Sequence, residues 1–151
     1  MRTALLAATL LVATAAPATA ADTNYLIWDS DPGSSPAEGR SGTWTPPDDF
    51  SVWEHPDRMI RVKADGPAGG DYLQIDLARR DGQRITEGHY SNQRVRVVNR
   101  GIGPPDERGV FTVEHLEYGP DGNISEFDGA VEHHGSTEAN TTFRAKISYR
   151  R

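Results

Sequence analysis

An all-β chain is what this sequence predicts, and three observations predict it. Apolar and polar residues alternate with period two in several short runs, the pattern of strands with one face buried and one wet. Fifteen glycines and ten prolines punctuate the 151 residues every few positions, which leaves no room for long helices. No segment carries the 3.6-residue apolar period of an amphipathic helix. The expected architecture is a single antiparallel β-sandwich of about eight short strands, with a jelly-roll-like arrangement or a small barrel as its alternatives.

The chain opens on a segment of another kind. Arg2, the apolar run from Ala4 to Ala16 and the small residues Ala18-Thr19-Ala20 have the charged start, apolar middle and cleavable end of a secretory signal peptide. A run of 13 residues is too short to span a bilayer, which needs roughly 20. Residues 1–20 are therefore read as a signal peptide and residues 21–151 as one β-sandwich domain, secreted and free of any membrane span.

Strands are then expected from Tyr25 to Asp29 and from Phe50 to Glu54, separated by a Pro/Gly-rich loop over 30–49 that carries Trp44 and has room for one short strand. Ile60, Val62 and Ala64 alternate with Arg61 and Lys63; Leu73, Ile75 and Leu77 alternate with Gln74 and Asp76; Val95 and Val97 alternate with Arg94 and Arg96. Val110 to Tyr118 and Ile124 to His134 flank the turn sequence Gly119-Pro120-Asp121-Gly122-Asn123 and should form a hairpin. Thr142 to Arg150 is the clearest strand, with Phe143, Ala145, Ile147 and Tyr149 on one face and charged or polar residues on the other.

Composition narrows the function classes. Without cysteine the chain has no disulfide, metal-thiolate site or cysteine nucleophile, so packing alone must hold the fold. Val, Ile, Leu and Phe number only 23 of residues 21–151, which makes the aromatic residues necessary core material. Removing Arg2 leaves 15 basic against 22 acidic side chains, a net charge of −7 that disfavours nucleic acid and anionic membrane as partners. Arg79, Arg80, Arg84, Arg94, Arg96 and Arg100 read as a solvated strand face.

Several stretches resemble a group of small secreted bacterial β-rich domains of uncharacterised function. They are Tyr25 to Gly33 with its Ser-x-Pro-Gly end, Gly88-x-Tyr90, Gly109-x-Phe111-Thr112-Val113, Tyr118-Gly119-Pro120-x-Gly122, and Ile147-x-Tyr149. Members of that group often carry a cysteine pair where this chain has Pro104 and Gly135. The resemblance implies a secreted all-β domain and brings no activity with it.

Candidate sites follow from the expected hairpin. If it turns symmetrically about Asp121, Phe111 faces Val131, Val113 faces Gly129, and His115 faces Phe127 on the apolar side, making His115 a core histidine. Glu114 then meets Asp128 on the outer face. With Glu126 these carboxylates are the candidates for acid/base work in a small glycan-directed hydrolase, or for holding a cation. A bulge near Ser125 would shift that register and separate them.

Asp29, Asp31 and Glu38 have the oxygen-rich tight turn of a cation loop, for which calcium is the fitting ion; otherwise they are solvated carboxylates ending a strand. His133 and His134 point to opposite faces of a strand and do not share one ion unless the strand ends there. Trp28 and Trp53 are expected in the core. Trp44, Tyr72 and Tyr90 are the candidate ligand-binding aromatics, Trp44 as an exposed recognition residue in its loop.

The sequence thus supports a noncatalytic extracellular binding or surface-interaction module whose ligand is a glycan, a cell-envelope component or a protein. The alternatives are the small hydrolase above and a protein inhibitor presenting the 30–49 loop. No cofactor is expected beyond the calcium of the Asp29 loop.

Overall fold

The computed structural model describes residues 24–46, 50–66, 72–103, 108–134 and 141–151. The expected signal peptide, and the positions of Pro104 and Gly135, lie outside them. Nine strands form in chain order: β1 (Tyr25–Ser30), β2 (Ser41–Trp44), β3 (Phe50–Glu54), β4 (Ile60–Asp65), β5 (Tyr72–Ala78), β6 (Gly88–Asn99), β7 (Arg108–Tyr118), β8 (Ile124–His134) and β9 (Thr142–Arg150). No helix occurs among the described residues.

All nine belong to one antiparallel sheet in the order β2-β1-β9-β8-β7-β6-β5-β4-β3, curled into a nearly closed barrel. This is the small-barrel alternative rather than two stacked sheets. Alternation alone does not separate the two, because both bury every second residue.

The inward residues of the alternating strands fill the curl. Leu26, Val62, Ile75, Leu77, Val95, Phe111, Phe127, Phe143 and Ile147 are all buried. Phe50 of edge strand β3 meets Tyr149 of β9 edge-on at 5.8 Å, packing across the interior from one sheet edge to a strand near the other. Trp28 stacks on Phe143 at 5.7 Å and on Trp44 at 6.3 Å, so three large rings form one end of the core. Trp53 differs from expectation: it is half-buried, with the Arg61 guanidinium 5.9 Å from its ring centre. Val52 is the buried residue of that strand, and its neighbour takes the other face.

The β7–β8 hairpin holds the anticipated register over its far half, where Phe111 faces Val131 and Val113 faces Gly129. It then slips twice. Glu114 is an extra residue on β7, so His115 pairs with Asp128 and Leu116 with Phe127; Ser125 is extra on β8, so Tyr118 pairs with Ile124. The first bulge moves His115 off the apolar face, because a one-residue slip exchanges the faces of everything beyond it.

Between Gly109 and its neighbours the sheet is tightly packed. A Cβ there would lie 2.4 Å from the Glu132 carbonyl oxygen and 2.7 Å from Val95 Cβ. Only glycine fits that approach.

Candidate functional site

The turn between β1 and β2 begins the site. Ser30 pins it: its hydroxyl accepts the Gly39 N–H at 3.0 Å and donates to the Arg40 carbonyl at 3.1 Å. Ala37 is fully buried and anchors the turn in the core. Arg40 is fixed in place by its own side chain, Nε donating to the Ala37 carbonyl at 2.8 Å and Nη2 to that of Pro36 at 3.1 Å.

Across from it, the turn after β6 is also locked. Asn99 exchanges backbone hydrogen bonds with Ile102, and the Arg100 N–H donates to the Tyr72 carbonyl at 3.0 Å. These two turns, with β2 and the end of β4, enclose a cavity of about 400 Å³. Trp28, Trp44, Gly42 and Asn99 are among its lining residues, as are Arg40 and Arg100.

Two of the lining side chains carry a buried polar atom without a partner. The Trp28 Nε1–H and the Asn99 Oδ1 are buried without a hydrogen-bond partner, in side chains only 6% and 3% exposed. Buried polar groups are nearly always paired, and leaving one unmade costs about 1–3 kcal/mol. One is a donor and the other an acceptor. Gly42 packs directly against the indole edge, since a Cβ on it would lie 2.5 Å from Nε1.

Trp44 reaches this cavity, but as a wall rather than an exposed loop residue. It closes β2 and is only 6% exposed, because pairing with Leu26 of β1 brings its ring onto Trp28. Tyr72 and Tyr90 are not among the lining residues. Tyr72 donates its hydroxyl to Gln74 beneath Lys63, and Tyr90 stacks on Phe111 at 4.8 Å with its hydroxyl donating to the Thr86 carbonyl. The three aromatics therefore form no single platform. Asn99, Gly42 and Arg40 have no period or motif that singles them out in the sequence.

The carboxylates lie elsewhere. Asp31 accepts from Arg144 Nη1 and from the Thr142 N–H, both at 2.9 Å, and the same Nη1 stands 3.3 Å from Asp29. The Arg144 hydrogen bond, then that of Thr142, holds the Asp31 pKa below its ordinary value. Glu38 is exposed in the following turn. A guanidinium thus occupies the place between Asp29 and Asp31 where a cation would compensate them.

On the outer face of the hairpin, Glu114 sits exposed on its bulge and no longer opposes Asp128. Asp128 is bound through both oxygens by Arg150, whose Nε also stands 3.1 Å from Glu126. Burial would raise the Asp128 pKa, but the Arg150 hydrogen bond leads the opposing effects and the net shift is downward. His115 lies between Glu87 at 3.1 Å, Glu126 at 3.2 Å and Glu117 at 3.5 Å. His115, Glu117 and Glu126 are the described residues whose ligand atoms come within reach of one ion. Glu117, missed in the sequence, directly opposes Glu126 only because both bulges shift the register.

No protein-family model, curated protein or solved structure matches this chain.

Proposed function

We propose that this chain is an exported, noncatalytic binding domain, and that its ligand site is the cavity between the β1–β2 turn and the turn after β6. The ligand is one hydroxyl-bearing ring, such as a sugar unit of an extracellular glycan. The observation that carries this reading is the pair of buried, unpartnered polar atoms of opposite sense, Trp28 Nε1–H and Asn99 Oδ1, in two side chains that line one cavity. Each is of a kind that a hydroxyl group can satisfy, accepting from the indole or donating to the amide oxygen.

The cavity volume of about 400 Å³ lies within the range of about 300–1,000 Å³ common for small-molecule sites. Trp28 and Trp44 supply apolar wall, and Ser41 and Thr43 add hydroxyls. Export is supported by the signal-like residues 1–20, and the engagement of Asp128 and Glu126 by Arg150 speaks against acid/base work there.

Calorimetric titration with glucose, galactose and N-acetylglucosamine, as monomers and short oligomers, tests the site. Trp28→Phe keeps a ring and removes the N–H, so it should weaken binding by a few-fold to about tenfold, the worth of one hydrogen bond. Absence of binding to every sugar, or unchanged affinity in both Trp28→Phe and Asn99→Leu, would overturn the reading.

A further inference from the structure

The two bulges of the β7–β8 hairpin gather a group of side chains that have no part in the cavity. Glu117 comes to face Glu126 directly across the ladder, a like-charged pair that costs stability unless a cation lies between. His115, two residues before Glu117 and on the same face of β7, is brought out beside them.

One end of the imidazole is anchored. Nδ1 stands 3.1 Å from Glu87 Oε1, an oxygen that also accepts the Leu116 N–H at 3.2 Å. An ionised carboxylate only accepts, so the proton of the neutral ring sits on Nδ1. Nε2 then turns its lone pair toward Glu126 Oε2 at 3.2 Å and Glu117 Oε1 at 3.5 Å. A carboxylate behind an imidazole in this way orients the ring and makes it a stronger ligand for a metal ion.

Three acceptors that face one another need a positive centre between them. A proton on Nε2 would draw one carboxylate to the ~2.7–2.9 Å of a charge-assisted hydrogen bond. Neither oxygen is so close. The distances come nearer to those of a metal site, where bonds of about 2.0–2.2 Å in a tetrahedron set ligand atoms about 3.3–3.6 Å apart. All three ligand atoms lie within 4.8 Å of one another. Glu126 is also steadied from β9 by Arg150 Nε at 3.1 Å, and a carboxylate has lone pairs enough for both partners. The described ion pairs give Glu87 and Glu117 no cation other than His115.

We infer that His115, Glu117 and Glu126 bind a divalent metal ion of the zinc class, which clips the end of β7 to β8. One imidazole nitrogen and two carboxylate oxygens suit zinc, whereas calcium takes about six to eight oxygen ligands. His115 and Glu126 are half-buried and Glu117 is exposed, so the fourth corner opens to solvent and takes a water molecule. Glu87 is a positioning residue that holds the ring without touching the ion. The site shares no residue with the cavity, and neither reading depends on the other.

Zinc chloride and calcium chloride are titrated calorimetrically into the full chain, freed of metal by dialysis against chelator, and into His115→Gln, Glu117→Gln and Glu114→Gln. The wild type should bind zinc and not calcium. Glu117→Gln, a change at an exposed side chain, should weaken zinc binding by about tenfold or more, and His115→Gln should do the same. Glu114→Gln removes an equal charge beside His115 and should leave the affinity unchanged. In spectra of the ¹⁵N-histidine-labelled chain, the ring signals that zinc shifts should be those missing from His115→Gln.

A wild type that binds no zinc overturns the inference and leaves an imidazolium between the two glutamates. Zinc binding that survives in both His115→Gln and Glu117→Gln overturns it as well. An equal loss in Glu114→Gln also does so, because it reveals diffuse attraction to acidic side chains rather than a site. Calcium that displaces zinc overturns the choice of ion.

Discussion

Trp28 belongs both to the core and to the cavity wall. Its ring is packed between Trp44 and Phe143, and its N–H is left over Gly42. Gly42→Ala would put a methyl group 2.5 Å from Nε1 and 2.9 Å from Cε2 of an indole that its stacked neighbours hold in place. We predict a loss of about 1–3 kcal/mol in urea unfolding, the usual cost of overpacking, together with loss of sugar binding. A variant that keeps full stability and affinity would show that the indole edge is not confined there.

A second prediction concerns Asp29 and Asp31. With Arg144 already between them, millimolar calcium should leave the melting temperature unchanged relative to chelator, whereas a calcium site would raise it. At this scale the sequence was partly legible. Trp28 was expected in the core because a chain short of aliphatic residues needs its rings inside, and it is there. Asn99 was not visible, since an unpaired buried amide leaves no trace in composition or period.

Among the elements, β9 binds its neighbours by charge as well as by ladder. Arg144 holds Asp31 beyond β1, Arg150 holds Asp128 on β8, and Arg151, just past the strand, holds Asp121 in the hairpin turn. The three aspartates have depressed pKa values, that of Asp121 reaching about 2 through the Asn123 side chain first and Arg151 second. A carboxylate with a depressed folded-state pKa stabilises above its unfolded value, about 3.9, and loses that contribution as pH falls through its folded value.

Stability should therefore decline between about pH 4 and pH 2. The decline should be shallower in Arg144→Gln, and parallel melting curves for the two proteins would contradict the assignment. Alternation made β4, β5 and β9 easy to read. β2 and the first half of β6 were not, because Ser41–Trp44 and Gly88–Gln93 are polar or glycine-containing and have no apolar face to alternate. The hairpin register was readable outside the stretch between the two bulges: a bulge near Ser125 was anticipated and is there, whereas the one at Glu114, which parts Glu114 from Asp128, left no mark in the sequence. Gly109→Ala, with its Cβ against the Glu132 carbonyl, should cost about 1–3 kcal/mol in the same unfolding assay.

For the molecule as a whole, the curl of one sheet creates the cavity. β2 is one edge of that sheet, and the cavity lies between it and the ends of β4 and β6, strands far from it in sheet order. Only the folded barrel brings Asn99 to Trp28 and Gly42, so ligand should stabilise the fold by mass action, by about 2.7 kcal/mol at one hundred times the dissociation constant. Thermal melts of wild type and Trp28→Phe with the tightest-binding of the named sugars should show that gain reduced in the variant. A β-rich, one-domain chain was legible from its punctuation and alternation. The choice of barrel over sandwich was not, because closure depends on strand tilt and pairing order, which leave the same alternating pattern.

The binding site is tested most directly by nuclear magnetic resonance on the ¹⁵N-labelled chain, titrated with the sugars named above. The indole N–H signal of Trp28 and the side-chain amide signals of Asn99 should shift together and saturate with at least one sugar, while the indole signal of Trp53, beneath Arg61 on the barrel surface, stays in place. A titration in which no sugar moves Trp28, or in which Trp53 alone responds, would contradict the account.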